Sequence, residues 1–218
     1  TLFRVITGEA KPDEGEIWRR DTLRVSYLEQ DVPPDSTQTI FEVVASGLGE
    51  IGQILSQYHQ AISQIDHATD KYLNDLADLQ HKIDTADGWN TNQKVESALS
   101  RLDLEPDKLL SSCSGGMRRR IMLAQALVSE PDLLLLDEPT SALDVSVQKQ
   151  VLELLLELQQ KHKLSYLFIS HDLSVIRSIS HRVMVMQQGK VVEEGETQQI
   201  FKNPQKLYTQ ELLNAAMI

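Results

Sequence analysis

The sequence has few of the features that direct a chain to the cell exterior or into a membrane. Its single cysteine, Cys113, cannot form an internal disulfide. No positively charged and then apolar leader opens the chain, so we expect a reducing cytoplasm. The longest apolar runs, such as the leucines at 133–136, are far shorter than the roughly 18 residues that span a bilayer. We therefore expect any membrane contact to go through a partner.

Positive charge is also scarce. The 218 residues contain 21 Lys and Arg against 32 Asp and Glu, a formal net charge of -11. Because phosphate neutralisation requires clustered cations, we expect no direct DNA binding. The hydrophobic share of 41% and the charged share of 24% are ordinary for a globular chain. A chain of this length can form one core, or one core with a subdomain.

The first zone of the sequence reads as a short helix followed by turns and strands. The helix is expected to stop near Gly8, and a turn is predicted at 12–15. Two short β-segments are predicted, one around Ile17 and Trp18 and one over 25–27.

The second zone is predicted to be helical. Thr39 and Glu42 form a capping box, after which apolar residues recur in steps of three and four and predict one long helix. The stripe comprises Ile40, Val44, Leu48, Ile51, Leu55, Tyr58, Ile62 and Ile65. After a break at 66–70, Tyr72, Leu76, Leu79 and Ile83 continue the rhythm, followed by a shorter helix through Val95, Leu99 and Leu102. The pattern fits an antiparallel helical hairpin and, equally, helices that each pack on a core.

The third zone alternates helix and strand. Helices are predicted over 117–128 and 147–160, strands over 133–136 and 165–169, a short helix after Asp172, and two strands around the Gln188-Gly189 turn. Strands that alternate with helices favour a largely parallel sheet. The fold class predicted here is α/β.

The segment LLLLDEPTSALD, residues 133–144, contains the most informative residues. Four leucines predict a strand buried on both faces, and Asp137 and Glu138 fall at its carboxyl end, where open α/β sheets bind ligands. An aspartate there can hold Mg²⁺, and a neighbouring glutamate can polarise an attacking water. Such a pair can also cap a helix, but Pro139, Thr140 and the later Asp144 favour the ligand site.

Two further segments carry weaker signals. Ser114, Gly115 and Gly116 at a helix start offer a hydroxyl and free N–H groups to a phosphate, although such a turn is commonly just a loop entering a helix. The arginines at 118–120 are expected to form a solvated face rather than a ligand clamp. His171 follows an apolar strand and can hydrogen-bond a γ-phosphate, although a lone histidine is usually structural.

Taken together, these motifs resemble a known family. Gln30, CSGGM, LLLLDEPT, SALD and SHD occur in the order of the Q-loop, signature, Walker B, D-loop and H-switch of ATP-binding cassette (ABC) ATPases. The resemblance implies a P-loop NTPase-type cassette with a mostly parallel sheet and an inserted helical subdomain. It further implies a front part of the ATPase core at 1–36, a helical subdomain ending in the signature at 37–116, and the rest of the core at 117–218.

The family resemblance also implies a role for each site residue. Asp137 would bind Mg²⁺, Glu138 would be the general base, His171 would contact the γ-phosphate of ATP, and Gln30 would contact Mg²⁺ and the attacking water. Ser114, Gly115 and Gly116 would act in trans on nucleotide held by a second cassette, in a homodimer, heterodimer or tandem, and Asp144 would join the nucleotide-binding residues. Cys113 and Met117 replace the Leu and Gln of the usual L-S-G-G-Q signature.

The opening segment resembles the helix that follows the P-loop G-x-x-x-x-G-K-S, so Thr1 would be the nucleotide-binding residue after its serine. On this resemblance the sequence is truncated before the P-loop. We expect the chain alone to be unstable, to bind ATP poorly and to be largely inactive.

The subfamily resemblance is divided. Residues 1 to about 116 resemble the second cassette of ABC-F proteins, and residues from about 117 to 218 resemble ATPase subunits of oligopeptide and dipeptide importers, which suggests a join between Ser114 and Val128. The importer resemblance implies a cytoplasmic ATPase that docks on a membrane permease at the inner face of the cell membrane. The alternatives are an ABC-F ATPase that acts on ribosomes, and an inactive fragment or fusion.

Overall fold

The structure, a computed structural model, describes residues 2–28, 37–63, 70–141 and 143–216. In chain order the elements are α1 (Leu2–Thr7), β1 (Val25–Leu28), α2 (Ile40–Ser46), α3 (Glu50–Ser63), α4 (Asp70–Thr85), α5 (Gly88–Arg101), a 3₁₀ turn (Leu110–Ser112), α6 (Gly115–Leu127), β2 (Leu133–Asp137), α7 (Val145–His162), β3 (Ser165–Ile169), α8 (Leu173–Ile179), β4 (Arg182–Gln187), β5 (Lys190–Glu196), α9 (Thr197–Lys202) and α10 (Leu207–Ala216). The chain divides into two compact units: unit 1 is Thr1–Leu135 with Lys163–Tyr166, and unit 2 is Leu136–His162 with Leu167–Ile218.

The first helix ends where the sequence predicts. Gly8 takes the left-handed conformation, with φ of 88°, directly after α1, and a glycine there carries no Cβ penalty. Phe3 of α1 is buried and contacts the ring of Tyr27 on β1 edge-on, with 5.6 Å between centroids. The predicted β-segment at Ile17 and Trp18 is wrong. Both side chains are exposed and neither residue lies in a strand of the described stretch 2–28, since β-propensity without a paired backbone does not make a strand.

The predicted capping box at the start of α2 is confirmed. The Glu42 N–H donates to Thr39 Oγ1 over 3.2 Å, and the Thr39 N–H donates to Glu42 Oε2 over 2.8 Å. The single long helix predicted after it is wrong, because α2 ends at Ser46 and α3 begins at Glu50. The two helices approach so closely that a Cβ on Gly52 would lie 1.8 Å from the Ala45 carbonyl oxygen.

Helices α3 and α4 form an antiparallel pair. The Tyr72 hydroxyl donates to the Ala61 carbonyl over 2.5 Å, and Gln80 Nε2 donates to Tyr58 Oη over 3.3 Å. Later residues of α4 therefore contact earlier residues of α3, as in an antiparallel pair. The same helices also pack on α5, where Tyr58 meets the Trp89 ring edge-on at 5.3 Å. The hairpin and the packed arrangement therefore coexist. The predicted break at 66–70 falls almost wholly on residues 64–69, which lie outside the described residues.

Strands β1, β2 and β3 form one sheet in that order. The Asp132 N–H donates to the Arg24 carbonyl, and the Ser165 N–H donates to the Asp132 carbonyl, so the three strands start at the same edge. At the other end, the Glu138 N–H donates to the Ile169 carbonyl over 3.0 Å. Neighbouring strands whose starts lie together and whose ends lie together run parallel. Helix α7 is the crossover between β2 and β3. The α/β class is confirmed.

Strand β2 is buried, as its leucines predict. Leu134, Leu135 and Leu136 each have an exposed fraction of 0%, and consecutive side chains of a strand point to opposite faces. Both faces of β2 are therefore covered, which fixes the position of the acidic residues that follow it.

The last strands are confirmed as a separate antiparallel hairpin, with Arg182 opposite Glu196 and Gln187 opposite Lys190. The turn residues Gln188 and Gly189 both have positive φ, 50° and 77°, as a two-residue hairpin turn requires. Helices α9 and α10, which the sequence reasoning did not predict, pack against this hairpin.

Candidate functional site

Glu138 has an unusual backbone conformation at the carboxyl end of β2. Its φ is 45°, in the left-handed region that costs energy for a residue with a Cβ. The conformation is held by hydrogen bonds on both sides: the Glu138 N–H donates to Ile169, and the Glu138 carbonyl accepts from the N–H and the hydroxyl of Ser141 at 3.0 and 2.9 Å. Backbone strain of this kind is concentrated at functional sites.

The Glu138 carboxylate meets His171, which follows the neighbouring strand. His171 Nδ1 lies 2.7 Å from Glu138 Oε1, and the His171 backbone N–H donates to the same oxygen over 3.1 Å. The hydrogen bond and the charge of Glu138 raise the pKa of His171 above its ordinary value of 6.5. The Glu138 side chain is only 19% exposed, whereas that of His171 is 81% exposed. The pair thus combines a sheltered carboxylate with an imidazole that an incoming ligand can reach.

Asp172 fixes the loop that carries His171. Its Oδ1 accepts hydrogen bonds from the N–H groups of Ser174 and Val175 at 2.9 and 3.3 Å, which makes it the N-cap of α8. The hydroxyl of Ser174 also donates to this carboxylate, and this bond is the main reason why the pKa of Asp172 lies below its usual range. Its Oδ2 accepts from Gln148 Nε2 of α7 over 3.1 Å.

Asp144 performs a similar task at the start of α7. Its Oδ1 accepts from the Ser146 hydroxyl at 2.5 Å and from the Val147 N–H at 3.0 Å. These bonds, with the Ser146 hydroxyl first, lower the pKa of Asp144. The residue proposed for nucleotide contact is therefore also a helix cap, and its carboxylate is ionised and exposed at neutral pH.

Asp137 is the last residue of β2 and is half-buried. Its side chain makes no hydrogen bond with any of the residues that the structure describes. No group of three or more His, Cys, Asp and Glu side chains within those residues is arranged to hold a metal ion. Mg²⁺ binds to proteins through one or two carboxylates while it keeps waters and contacts phosphate oxygens. A single available carboxylate at a strand end therefore fits Mg²⁺ bound together with a nucleotide.

The signature turn, residues 114–116, lies in unit 1. Ser114 is the N-cap of α6 and accepts from the Met117 N–H over 3.3 Å. Ser114 and Gly115 are exposed, and a Cβ on Gly115 would meet nothing within 4 Å. The first N–H groups of a helix are unsatisfied by the helix itself, so the turn presents open backbone donors.

The predicted solvated face of arginines is wrong. Arg119 is buried, with an exposed fraction of 4%. Arg118 donates from Nε to the Cys113 carbonyl over 3.1 Å and from its terminal nitrogen to the Ser111 carbonyl over 3.2 Å. Arg118 thus binds carbonyl groups of the preceding loop and helps to hold the signature turn in shape.

The described part of unit 2 brings together Glu138 and His171, with Asp137 adjoining Glu138 in sequence and Asp144 at the next helix. Thr1 and Gln30, the remaining predicted site residues, lie outside the described residues. Sequence reasoning missed Ser170 and Gln148. Ser170 had a usable signal, since it stands between the end of an apolar strand and the candidate histidine.

The comparisons with known proteins agree on the family. The ABC transporter family model matches residues 1–141. The ATP-binding protein Uup of Haemophilus influenzae is 40% identical over 193 residues, which cover 88% of this chain and 29% of Uup. The dipeptide transport ATP-binding protein DppF of Escherichia coli K12 is 37% identical over 223 residues, which cover 99% of this chain and 60% of DppF. The chain thus spans less than two thirds of either relative.

A solved structure gives the same result for the fold. MJ1267, an ATP-binding cassette of an ABC transporter, matches with a TM-score of 0.69 over 97% of this chain and 81% of its own chain, at 20% identity. That likeness shows the fold alone. No described helix is long and apolar enough to cross a membrane. The family match over residues 1–141, together with the strand-end acidic pair and its histidine, shows that this chain belongs to the ABC transporter family.

Proposed function

We propose that the protein binds ATP and hydrolyses it, with Glu138 as the general base. The observation that carries this proposal is the contact between Glu138 and His171 at the ends of two adjacent parallel strands. A carboxylate held in this position can accept a proton from a water molecule as it attacks the γ-phosphorus. The raised pKa of His171 increases its share of imidazolium at neutral pH, and a cation beside the γ-phosphate stabilises the charge of the transition state.

Asp137 would hold Mg²⁺, which neutralises charge on the β- and γ-phosphates when it is bound. Gln30 would contact this ion and the attacking water. Thr1 and Asp144 are proposed as further nucleotide contacts.

The signature turn would act on the nucleotide of a second cassette. Ser114, Gly115 and Gly116 offer a hydroxyl and open N–H donors at the start of α6, a 13-residue helix. Such an end of a helix favours an anion. The proposal therefore includes a partner cassette, in a homodimer, a heterodimer or a tandem protein.

For the cellular role, we propose that hydrolysis drives the uptake of a peptide-type solute through a membrane permease. The similarity to DppF over 99% of the chain supports this role. The protein would then act in the cytoplasm, docked on the permease at the inner face of the cell membrane. Copurification with membrane subunits after mild solubilisation tests the assignment.

A role of the ABC-F type is the second candidate. Its support is the 40% identity with Uup over 88% of this chain, and the antiparallel α3–α4 hairpin provides an arm that could reach a large partner. ATP-dependent sedimentation with ribosomes would favour this role over transport. Sedimentation that does not change with ATP, together with binding to a permease, would exclude it.

Hydrolysis is best tested with two forms of the protein, of which the first is the 218-residue chain alone. The motif G-x-x-x-x-G-K-S does not occur in the 218 residues, so slow turnover by the chain alone stays a prediction. The second form, here termed the P-loop fusion, carries the P-loop segment of DppF joined ahead of Thr1. We expect ATP hydrolysis by the fusion and its loss in the Glu138→Gln variant. A fusion that binds ATP but hydrolyses none would contradict the proposed function.

A further inference from the structure

Ser170 lies between β3 and His171, and its hydroxyl is oriented by the backbone. The Asp172 N–H donates to Ser170 Oγ over 3.0 Å. A hydroxyl carries one proton and two lone pairs. Because the backbone donor occupies a lone pair, the hydroxyl proton of Ser170 remains for an acceptor, and Glu138 Oε2 lies 3.5 Å from Oγ.

The two oxygens of the Glu138 carboxylate therefore face different donors. Oε1 accepts from the backbone of His171 and contacts its ring, whereas Oε2 faces Ser170. The last torsion of a glutamate side chain is broad and roughly two-fold. A donor at each oxygen restricts that rotation and fixes the plane in which the carboxylate lies.

Asp172, whose N–H orients Ser170, is itself held by several hydrogen bonds. It accepts from the first turn of α8 with one oxygen and from Gln148 with the other. Gln148 lies one turn after Asp144, and its N–H donates to the Asp144 carbonyl over 2.9 Å. A continuous set of hydrogen bonds thus runs from the start of α7 to the carboxylate of Glu138.

We propose that Ser170 is a positioning residue for Glu138, oriented by Asp172 and supported by Gln148. Ser170 touches neither nucleotide nor water in this role, which rests on the proposed function of Glu138 as the base. Ser170 would keep the carboxylate of Glu138 in one orientation, so that its lone pairs point in a fixed direction. Donor–acceptor distances near 3.5 Å are long for a hydrogen bond in the free protein, and catalytic hydrogen bonds commonly tighten once substrate is present.

The test uses amide hydrogen exchange of the P-loop fusion without nucleotide. The His171 N–H donates to Glu138 Oε1, so its exchange rate reports how firmly the carboxylate is held. In Ser170→Ala, we expect the His171 amide to exchange several-fold faster, and Ser170→Thr should restore protection because threonine keeps the hydroxyl. The Glu138 amide, which donates to the Ile169 carbonyl, should not change.

The matched control is Ser178→Ala, which removes the hydroxyl that donates to the Val175 carbonyl within α8. We expect this variant to leave the His171 amide unchanged. Equal exchange at His171 in wild type and Ser170→Ala would overturn the proposal. So would faster exchange throughout α8 in Ser170→Ala, because that would indicate general loosening instead of a released carboxylate.

Steady-state kinetics provide a second readout. In the P-loop fusion, we expect Ser170→Ala to lower kcat for ATP about tenfold, with KM unchanged, as for a misplaced catalytic group. Ser170→Thr should recover most of the rate. An unchanged kcat would contradict the role of Ser170. A P-loop fusion of wild-type sequence without turnover would count against the proposed function alone, since the exchange experiment requires no ATP.

Discussion

The two regions that hold the candidate site residues differ in how their polar groups are used. In unit 2, the polar groups bond to each other: Glu138 at the end of β2 to His171, and Asp172 to Gln148 of α7. In unit 1, the Ser114 hydroxyl of the signature turn accepts from the Met117 N–H over 3.3 Å, and a Cβ on Gly115 would meet nothing within 4 Å. The difference teaches that the strand-end cluster is assembled within one chain, whereas the signature turn presents open donors, for which we propose an acceptor in another molecule.

The largest expected effect is on the strand-end cluster. Glu138→Gln keeps the shape of the side chain but removes its ability to accept a proton. We expect ATP hydrolysis by the P-loop fusion to fall by roughly a hundredfold or more, as for loss of a general base, while ATP binding persists. Measurement of phosphate release and of nucleotide affinity on the same preparation checks this. Hydrolysis within twofold of wild type would remove Glu138 from the mechanism.

The next effect concerns the signature turn. Gly115→Leu adds a side chain in open, exposed space, so we expect the melting temperature to be unchanged. Hydrolysis by the P-loop fusion should nevertheless fall about tenfold or more, because the added bulk separates the donors from a partner's phosphate by an ångström or more. Gln198→Leu, which puts the same side chain on the exposed first turn of α9, is the control and should retain activity. Equal losses in both variants would point to a general effect of surface leucine.

A smaller effect is expected from the capping box of α2, which contributes to the stability of unit 1 and lies outside the strand-end cluster. Thr39→Ala removes the hydroxyl that accepts the Glu42 N–H in the capping box. In the P-loop fusion, we expect a loss of about 1 kcal/mol in the free energy of unfolding, measured by urea denaturation. Thr39→Ser, which keeps the hydroxyl, should stay close to wild type. An unchanged midpoint in Thr39→Ala would mean that the capping bonds contribute nothing to stability.

The smallest effect is the titration of His171. Because Glu138 raises the pKa of His171 above 6.5, the stabilising charge pair is complete below pH 6.5 and is lost as pH rises through the raised pKa. In Glu138→Gln, the pKa of His171 should fall towards its ordinary value. Histidine chemical shifts, followed by NMR as a function of pH, measure the pKa of His171 in the wild-type protein and in the variant. An identical titration in the two proteins would show that the contact between Glu138 and His171 does not form in solution.

Much of the fold follows from local signals in the sequence. The strand of leucines, the strand before His171 and the hairpin at Gln188 and Gly189 were predicted because their apolar runs and turn residues leave few alternatives. The break between α2 and α3 was not predicted. The apolar stripe continues across that break, where Gly47 is the C-cap of α2 and Gly49 has a positive φ of 66°.

The site was predictable in its residues but not in its bonding. The motif order identified Glu138 and His171, yet nothing local indicates that one carboxylate oxygen meets His171 twice while the other faces Ser170. The burial of Arg119 was missed for the same reason. Three consecutive arginines resemble a charged surface, and the donation of Arg118 to loop carbonyls depends on the three-dimensional path of residues 111–113.

The central claim is that the strand-end cluster acts within its own chain while the signature turn acts on the nucleotide of another. Mixing the Glu138→Gln and Gly115→Leu forms of the P-loop fusion tests this claim most directly. A mixed dimer would contain one site that combines an intact Glu138 with an intact Gly115 from the other chain. We predict ATP hydrolysis by the mixture well above that of either variant alone. Hydrolysis no greater than the average of the two variants would contradict the account.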